Sequence, residues 1–483
     1  MESSVIEKSV GVVNVAHCIG GKWSSEGERF DVVSPGEGCC VTRAPQASEQ
    51  QVAKAVSAAT AAKAAMAAMP GYERAALLRR FQAALSARAD DVAVSLTRET
   101  GKVIRETREE LRRALDVLGL CAEEAIRIEG SHVPLDGSAN GAGKIAMMLR
   151  FPVGVVAGIV PFNAAANLTC HKVGPALAAG NPVVIKSPPE APNALALIFE
   201  ALCEAQPPEG AVSLLHGKTQ TGEALVNHPG VDFITFTGST RAGAAVKKAA
   251  GMRRVLLELG GLGPNIVHAD ADVDRAAKLT AQHGTRLAGQ SCISVQNLFV
   301  HRSIVERFLD MHVATVKAMS FGDPMNPETQ VGPLINERAA VRVESWLREA
   351  AAGGARLLCG GKRHGALVEP TVVTDAKPEM KIVCEEIFGP VIVVRPYDDI
   401  AEPIAWINSS DFGLNCGVFT SAIDVALRAV RQIECGGVIL NGSSTFRPDQ
   451  VPYGGIKNSG IGREGPRYAI REMTNERLIV FAQ

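Results

Sequence analysis

The stretch VDFITFTGSTRAGAAVKKAA, residues 231–250, decides the fold class. A run typical of a β-strand ends at Phe236, Gly238 opens a turn, and Ser239 can cap the helix that follows. The free N–H groups at the start of such a helix form an anion site suited to a pyrophosphate. The spacing from Gly238 to Gly243 differs from the GxGxxG of an ordinary dinucleotide fold, so the turn alone is also compatible with a structural role.

The same alternation of strand and helix continues on both sides of this stretch. Upstream, VGVVAGIV (153–160) is typical of a buried strand, and ALAAGNPVVIKS (176–187) predicts a helix, a turn and another strand. Downstream, a second unit begins near residue 258, and ERLIVFAQ (476–483) predicts a closing strand. Alternating strands and helices predict an α/β protein with parallel sheets.

The composition is that of an ordinary globular protein. Of the 483 residues, 46% are hydrophobic and 21% are charged, and the formal net charge of -1 argues against a nucleic-acid partner. No apolar run is long enough to cross a bilayer, and the N-terminal stretch lacks the pattern of a secretory signal, so we expect no membrane partner. The 11 cysteines include no CxxC pair. We therefore expect no disulfide scaffold, no metal site and a reducing, cytoplasmic location.

Three places along the chain carry side chains suited to chemistry. Cys292 follows a Gly-Gln-Ser turn, and Lys186 ends the strand VVIK, where α/β sheets present ligand contacts. In EEIFGP (385–390), a carboxylate such as Glu386 could hold a ribose diol, and Phe388 could lie behind a nicotinamide. Each has a plainer interpretation, as an inert buried thiol, a capped turn or a solvated charge.

Several short motifs occur together in one order. Those that carry chemistry are PFN (161–163), LELGG (257–261), GQSC (289–292) and EEIFGP (385–390). Others are ETGK (99–102), FTGST (236–240) and PYGGIKNSGIGREG (452–465). With these motifs the chain resembles the aldehyde dehydrogenase superfamily, of the non-phosphorylating NAD(P)-dependent kind, over nearly its full length.

The resemblance implies the aldehyde dehydrogenase fold, which is α/β with three parts. It predicts a Rossmann-like cofactor domain over 1–129 and 149–257, an α/β catalytic domain over 258–456, and a small β oligomerisation segment over 130–148 and 467–483. It also implies a homodimer or a homotetramer, because an exposed apolar strand edge has to be covered.

The resemblance assigns three catalytic roles. Cys292 is the nucleophile, Asn163 donates to the oxyanion, and Glu258 is the general base. A thiol attacks the aldehyde carbonyl, hydride passes to a nicotinamide, and water activated by the base hydrolyses the resulting thioester. A single oxyanion donor is worth about 2.7–4 kcal/mol in other acyl-transfer sites.

The resemblance also implies a nicotinamide dinucleotide as cofactor. The cofactor contacts are Lys186, Gly222, Gly238, Ser239, Glu386 and Phe388. The family often has Lys-Pro-Ser-Glu where this chain has KSPPE, so Pro189 replaces the acidic residue and Glu190 comes one position late. Removal of a carboxylate there removes repulsion against a 2′-phosphate, so both NAD and NADP stay open.

Positions that often carry aromatic side chains around the family's substrate differ in this chain. They carry Ala164, His171, Arg447 and Arg113, with Arg112 as the alternative to Arg113 if the alignment shifts by one residue. Because guanidinium groups match carboxylate, phosphate and sulfonate, we hypothesise a small aldehyde with an anionic tail. Salt bridges and a satisfied core histidine are the plainer interpretation.

Other functions remain as alternatives. One is a CoA-acylating semialdehyde dehydrogenase, against which Glu258 counts because a base directed at water serves hydrolysis. Another is a dehydrogenase of a neutral short aldehyde such as lactaldehyde. A non-catalytic cofactor-binding protein and a thiol hydrolase fit less well, since Cys292, Glu258 and Asn163 occur together and no Cys-His-Asn pattern is evident.

Overall fold

The computed structural model describes residues 7–9 and 11–482 of the chain. The predicted parts that begin at residue 1 and end at residue 483 therefore extend beyond the described residues. The same holds for most of the N-terminal stretch in which no secretory signal was expected. In the described part, no helix is both long enough and apolar enough to cross a membrane.

An eight-stranded sheet contains the stretch that decides the fold class. Its five central strands are mutually parallel, with the spatial order Arg254–Glu258, Phe233–Thr237, Val156–Ile159, Val183–Lys186 and Val212–Leu215. Numbered along the chain, this order is 5-4-1-2-3, which is that of a doubly wound dinucleotide-binding sheet. The antiparallel strands Gly460–Ile461, His17–Ile19 and Lys22–Ser24 complete it. Such sheets bind ligands at the carboxyl ends of their strands.

Helices cover this sheet and supply much of its core. They are Glu49–Ala68, Gly71–Ser86, Ala89–Thr100, Ile104–Ala125, Ala165–Ala178, Pro192–Glu204, Thr219–Asn227, Thr240–Ala250 and Pro466–Glu472. The Ala165–Ala178 helix is buried along its entire length, because other helices pack over it and it packs on the sheet. It begins two residues after Asn163, so its packing restricts the position of that residue.

A seven-stranded sheet follows along the chain. Six of its strands are parallel, and the edge strand Arg356–Cys359 is antiparallel. The others, in spatial order, are Thr371–Thr374, Val391–Tyr397, Asn297–His301, Asn265–Val267, Asn415–Phe419 and Gly437–Leu440. Its helices are Val273–Thr285, Val305–Lys317, Glu337–Ala352, Lys381–Cys384, Ala401–Ser409 and Ile423–Gln432. The predicted second α/β unit is therefore present.

The predicted closing strand forms as Thr474–Phe481. It pairs along its whole length with Ile145–Pro152, which also pairs with Ser131–Val133 in an antiparallel three-stranded sheet. The predicted boundary between residues 148 and 149 falls inside the Ile145–Pro152 strand, because the pairing with Thr474–Phe481 continues to Pro152. The limits of the three parts stay predictions.

Smaller elements complete the described fold. A four-stranded sheet contains Glu7–Ser9, Val12–Asn14, Cys40–Pro45 and Arg29–Val33. Two short ladders pair Arg363–His364 with Leu367–Val368 and Phe412–Gly413 with Ile456–Lys457. Short 3₁₀ turns lie at Leu135–Gly137, Ala139–Gly141, Arg286–Gly289 and Arg302–Ile304.

Candidate active site

Four sequence segments that are far apart in the chain meet beside the carboxyl ends of the parallel strands of the eight-stranded sheet. They are 161–163, 257–261, 289–292 and 385–390. The Asn163 side-chain amide donates to the Gln290 carbonyl at 3.0 Å. The Gly261 amide donates to Glu386 Oε1 at 3.1 Å. A methyl group on Gly261 would lie 2.5 Å from the Cys292 carbonyl oxygen, so only glycine permits this approach.

Cys292 is half-buried at the end of the loop after the Arg286–Gly289 turn. Its Sγ lies 3.2 Å from the Tyr453 hydroxyl, which is itself buried. Desolvation raises the pKa of the Cys292 thiol to about 12, and the Tyr453 hydrogen bond opposes that shift. The thiol is therefore protonated at neutral pH in this arrangement and needs a base before it can attack.

Glu258 ends the Arg254–Glu258 strand and is almost completely buried. Neither carboxylate oxygen has a hydrogen-bond partner among the described residues. Burial, followed by repulsion from Glu464, raises the pKa of Glu258 well above its usual range. Gly454 leaves room for this carboxylate, because a methyl group there would lie 2.8 Å from Oε1 of Glu258. A buried carboxyl group without partners is suited to exchange a proton with a small molecule.

Asn163 is held from two sides. Lys102 Nζ donates to the Asn163 backbone carbonyl at 3.1 Å and is ion-paired with buried Glu110. Since a side-chain amide has two N–H donors and one of them meets Gln290, the second is available for another acceptor.

The predicted cofactor residues fit a dinucleotide. Ser239 caps the Thr240–Ala250 helix by accepting from the Ala242 amide, as predicted for the turn that contains Gly238. The free amides of that helix are suited to a phosphate. Gly222 lies on the Thr219–Asn227 helix, where a methyl group would meet only the tip of Ile159 at 3.8 Å, so space for a ligand remains.

Two charged residues, Lys186 and Glu386, have shifted pKa values and side chains suited to bind a ligand. Burial lowers the pKa of Lys186 to about 8, and its ammonium has no hydrogen bond or ion pair within the described residues. Burial raises the pKa of Glu386 to about 7. The Phe388 ring meets Phe162 edge-on, with 6.1 Å between the ring centroids. A cation for phosphate, a carboxylate for a diol and an apolar ring are all present.

The three predicted substrate residues lie close together, but carboxylates neutralise them. Arg113 makes a bidentate pair with Asp449, at 3.0 and 2.7 Å. Arg447 Nη2 lies 2.6 Å from Glu464 Oε2. The sequence-based expectation of a pocket made cationic by these residues is therefore wrong in its charge balance.

His171 also adds no positive charge. It is fully buried with Nε2 3.0 Å from Asp449 Oδ1, and burial lowers its pKa. Asn167 donates to the same carboxylate at 3.2 Å. His171 thus contacts the wall of the site through Asp449, and the plainer interpretation of a satisfied core histidine describes it better.

Sequence reasoning missed several residues of the site. Lys172 is a fully buried ammonium that contacts Glu464 at 3.2 Å and the Thr237 hydroxyl at 2.8 Å. Tyr453 stands between the thiol and Arg447, whose guanidinium carbon lies 3.8 Å from the tyrosine ring centroid. The signal available was their position, since Tyr453 is the second residue of PYGGIKNSGIGREG and Lys172 directly follows His171, a predicted substrate residue.

A cavity of about 400 Å³ is lined in part by Arg447. Its charged lining consists of Arg112, Arg113, Arg286, Arg447, Glu109, Asp116 and Asp449. Arg112 is paired with Glu109 and Asp116. Arg286 is half-buried and has no hydrogen bond or ion pair within the described residues.

The sequence model of the "Aldehyde dehydrogenase family" matches residues 23–479. The chain belongs to the aldehyde dehydrogenase family. It is accordingly an NAD(P)-dependent aldehyde dehydrogenase, as the sequence motifs predicted. The fold prediction is also confirmed, since solved aldehyde dehydrogenases superpose over nearly the whole chain.

Individual relatives differ in the aldehydes that their names specify. The chain is 42% identical to a 3-sulfolactaldehyde dehydrogenase of Priestia megaterium over 96% of this chain and 97% of that protein. It is 35% identical to a lactaldehyde dehydrogenase of Methanocaldococcus jannaschii over 96% of this chain and 100% of that protein. Aldehyde dehydrogenase 21 of Physcomitrella patens, solved with the reaction product succinate, is 37% identical. It superposes with a TM-score of 0.94 over 97% of this chain and 98% of that chain.

Proposed function

We propose that this aldehyde dehydrogenase oxidises a small aldehyde with an anionic tail, of the sulfonate class, to the carboxylic acid through a thioester on Cys292. The observation that carries the proposal is the Arg286 guanidinium, which has no hydrogen bond or ion pair among the described residues and lines the same cavity as Arg447. The relatives named for 3-sulfolactaldehyde and, in Neptuniibacter caesariensis, sulfoacetaldehyde support the same class.

Charge pairing in the cavity favours an anion at Arg286. Four arginines and three carboxylates line it, and Arg447 is paired with a fourth carboxylate, Glu464, so no excess charge is left. His283, another lining residue, contributes none, because burial lowers its pKa to about 4. Since the other arginines already have carboxylate partners, Arg286 is the cation whose donors remain available to a sulfonate or carboxylate. Arg113, His171 and Arg447 then shape the cavity and keep its other charges paired.

The first step is attack by Cys292 on the aldehyde carbonyl. The thiol passes its proton to solvent water, and its contact with the Tyr453 hydroxyl stabilises the negative sulfur. The second N–H of the Asn163 amide and the Cys292 backbone N–H stabilise the oxyanion that forms. These donors are held in place before the reaction, so their full benefit goes to the developing charge.

The last step is hydrolysis of the thioester. Glu258, buried and unpaired, accepts a proton from water in its ionised form, and burial raises the pKa of this carboxyl group above its usual range. Lys186, Ser239 and the Thr240–Ala250 helix would hold the phosphates of NAD or NADP, and Glu386 would hold a ribose. When bound, the nicotinamide supplies the acceptor for the hydride that leaves the substrate carbon.

Assembly and location extend the proposal. The Ile145–Pro152 and Thr474–Phe481 strands expose apolar side chains that include Ile145, Leu478 and Phe481. We propose that a second copy covers this surface in a homodimer or a homotetramer. A cytoplasmic location fits a reaction that depends on a reduced thiol.

Replacing Arg286 by glutamine tests the substrate class. We expect kcat/KM for 3-sulfolactaldehyde to fall about 10- to 150-fold, the range for loss of a hydrogen bond to a charged group. Lactaldehyde lacks only the sulfonate, so its kcat/KM should change less than about threefold. Arg112→Gln is the matched control, since Arg112 lines the same cavity but is paired. Reduced cofactor is followed by absorbance.

Equal losses on both aldehydes would show that Arg286 does not bind the tail. A wild-type preference for lactaldehyde over the sulfonated aldehyde would support the second candidate, a neutral short-chain aldehyde dehydrogenase. The relative from Methanocaldococcus jannaschii is the observation that keeps that candidate open.

A further inference from the structure

The geometry points to Glu106 as a positioning residue that holds the Cys292 loop through a strained turn. The inference rests on the proposed role of Cys292 as the nucleophile. Glu106 lies in the first turn of the Ile104–Ala125 helix and contacts neither the thiol nor the cavity.

The turn before the nucleophile has an unusual backbone. Leu287 (φ 55°, ψ 29°), Ala288 (φ 51°, ψ 35°) and Gly289 (φ 72°) are all left-handed. Leucine and alanine favour right-handed helix and disfavour this region. Such a conformation persists only where surrounding contacts impose it, and it often occurs at functional sites. Gln290, Ser291 and Cys292 follow at once, so the turn sets where the thiol lies.

The contact that imposes this left-handed conformation comes from Glu106. Its carboxylate is buried, and its two oxygens accept from the Leu287 amide at 3.1 and 3.2 Å. This amide belongs to the first of the three left-handed residues. Burial also raises the pKa of Glu106, so a neutral amide side chain of the same shape should substitute well for it.

The same helix also positions the oxyanion donor. Glu110, one turn after Glu106, accepts from the Ala166 and Asn167 amides at 2.8 and 3.1 Å, at the start of the helix that follows Asn163. Two carboxylates on one helix therefore hold the nucleophile loop and the oxyanion segment at a fixed separation. A displacement of about 1 Å between reacting groups can cost about 100-fold in rate.

Glu99 provides a matched control for a structural role. It too is a buried carboxylate that accepts from two helix-start amides, those of Asn193 and Ala194, at 2.9 and 3.0 Å. It contacts no segment of the candidate site. Glu99→Ala should therefore lower the melting temperature without changing the environment of Cys292.

The experiment measures the pH dependence of Cys292 alkylation by iodoacetamide, and peptide mass spectrometry distinguishes Cys292 from the other cysteines. It also measures kcat and KM for 3-sulfolactaldehyde. In Glu106→Ala the loop relaxes and water reaches the thiol. We expect the alkylation midpoint to fall toward that of an ordinary cysteine and kcat to fall about 100-fold, with KM changed much less. Glu106→Gln keeps an acceptor and should stay within about threefold of wild-type kcat.

If Glu106→Ala does not fold, Glu106→Asp withdraws the acceptor by one methylene and should lower the same midpoint. Three results would overturn the inference. They are an unchanged alkylation midpoint in the folded variant, a loss of kcat in Glu106→Gln equal to that in Glu106→Ala, and an equal shift of the alkylation midpoint in Glu99→Ala. A lowered midpoint with unaffected kcat would leave the positioning intact and contradict the proposed nucleophile instead.

Discussion

Cys292→Ala is expected to lose aldehyde oxidation by at least about 10⁴-fold in kcat, because no other group can form the covalent intermediate. The loss should appear as absence of reduced-cofactor absorbance with 3-sulfolactaldehyde. Binding of NAD or NADP, followed by thermal shift, should persist, because Lys186, Ser239 and Glu386 are untouched. Cys39→Ala is the matched control, since Cys39 is an exposed free cysteine outside the site.

Residual activity within about tenfold of wild type would contradict the assignment of the nucleophile. The retained cofactor binding separates this outcome from simple misfolding, because the doubly wound sheet has to be intact for the thermal shift to occur.

Glu258→Gln is expected to give one burst of reduced cofactor per active site and then to stall. The amide has nearly the same shape as the carboxyl group but cannot accept a proton from water, so the thioester accumulates. Steady-state turnover should fall about 10²- to 10⁴-fold, the usual contribution of a general base. Stopped-flow absorbance measures the burst and the steady rate in one trace.

Normal steady turnover by Glu258→Gln would show that another group is the base. Loss of both the burst and the steady rate would assign Glu258 to thiol deprotonation rather than to hydrolysis. Faster turnover on addition of coenzyme A, with an acyl-CoA product, would favour the CoA-acylating alternative.

Much of the fold could be predicted because its signals are local. The strand, turn and helix over 231–250 follow from β-forming residues, a glycine and a cap, and Ser239 caps the helix as expected. The Val183–Lys186 strand ends at Lys186, as its apolar run indicated. The closing strand forms and pairs with Ile145–Pro152; its own residues do not indicate a partner, and only the family resemblance placed both regions in one β segment.

The charge balance of the site could not be predicted, because the partners are distant in sequence. Arg113 and Asp449 are 336 residues apart, and no local pattern links them. His171 has an ordinary sequence context, and burial, followed by repulsion from the distant Arg447, lowers its pKa. The presence of an arginine at a position in the sequence therefore does not show whether a carboxylate pairs with it in the fold.

The left-handed turn at Leu287 and Ala288 had no local signal either. Both residues favour helices, and the prediction would have been helical if it had rested on propensity alone. The buried carboxylate of Glu106, brought there by a different helix, overrides that preference. Local rules fail here at the position that sets the place of the candidate nucleophile.

Mass spectrometry of quenched Glu258→Gln tests the central claim most directly. The variant is mixed with cofactor and 3-sulfolactaldehyde, stopped in acid after one burst and digested. The peptide containing Cys292 is expected to gain the mass of the sulfolactyl group as a thioester that hydroxylamine removes. A burst of reduced cofactor without that adduct, or an adduct on any other residue, would contradict the central claim.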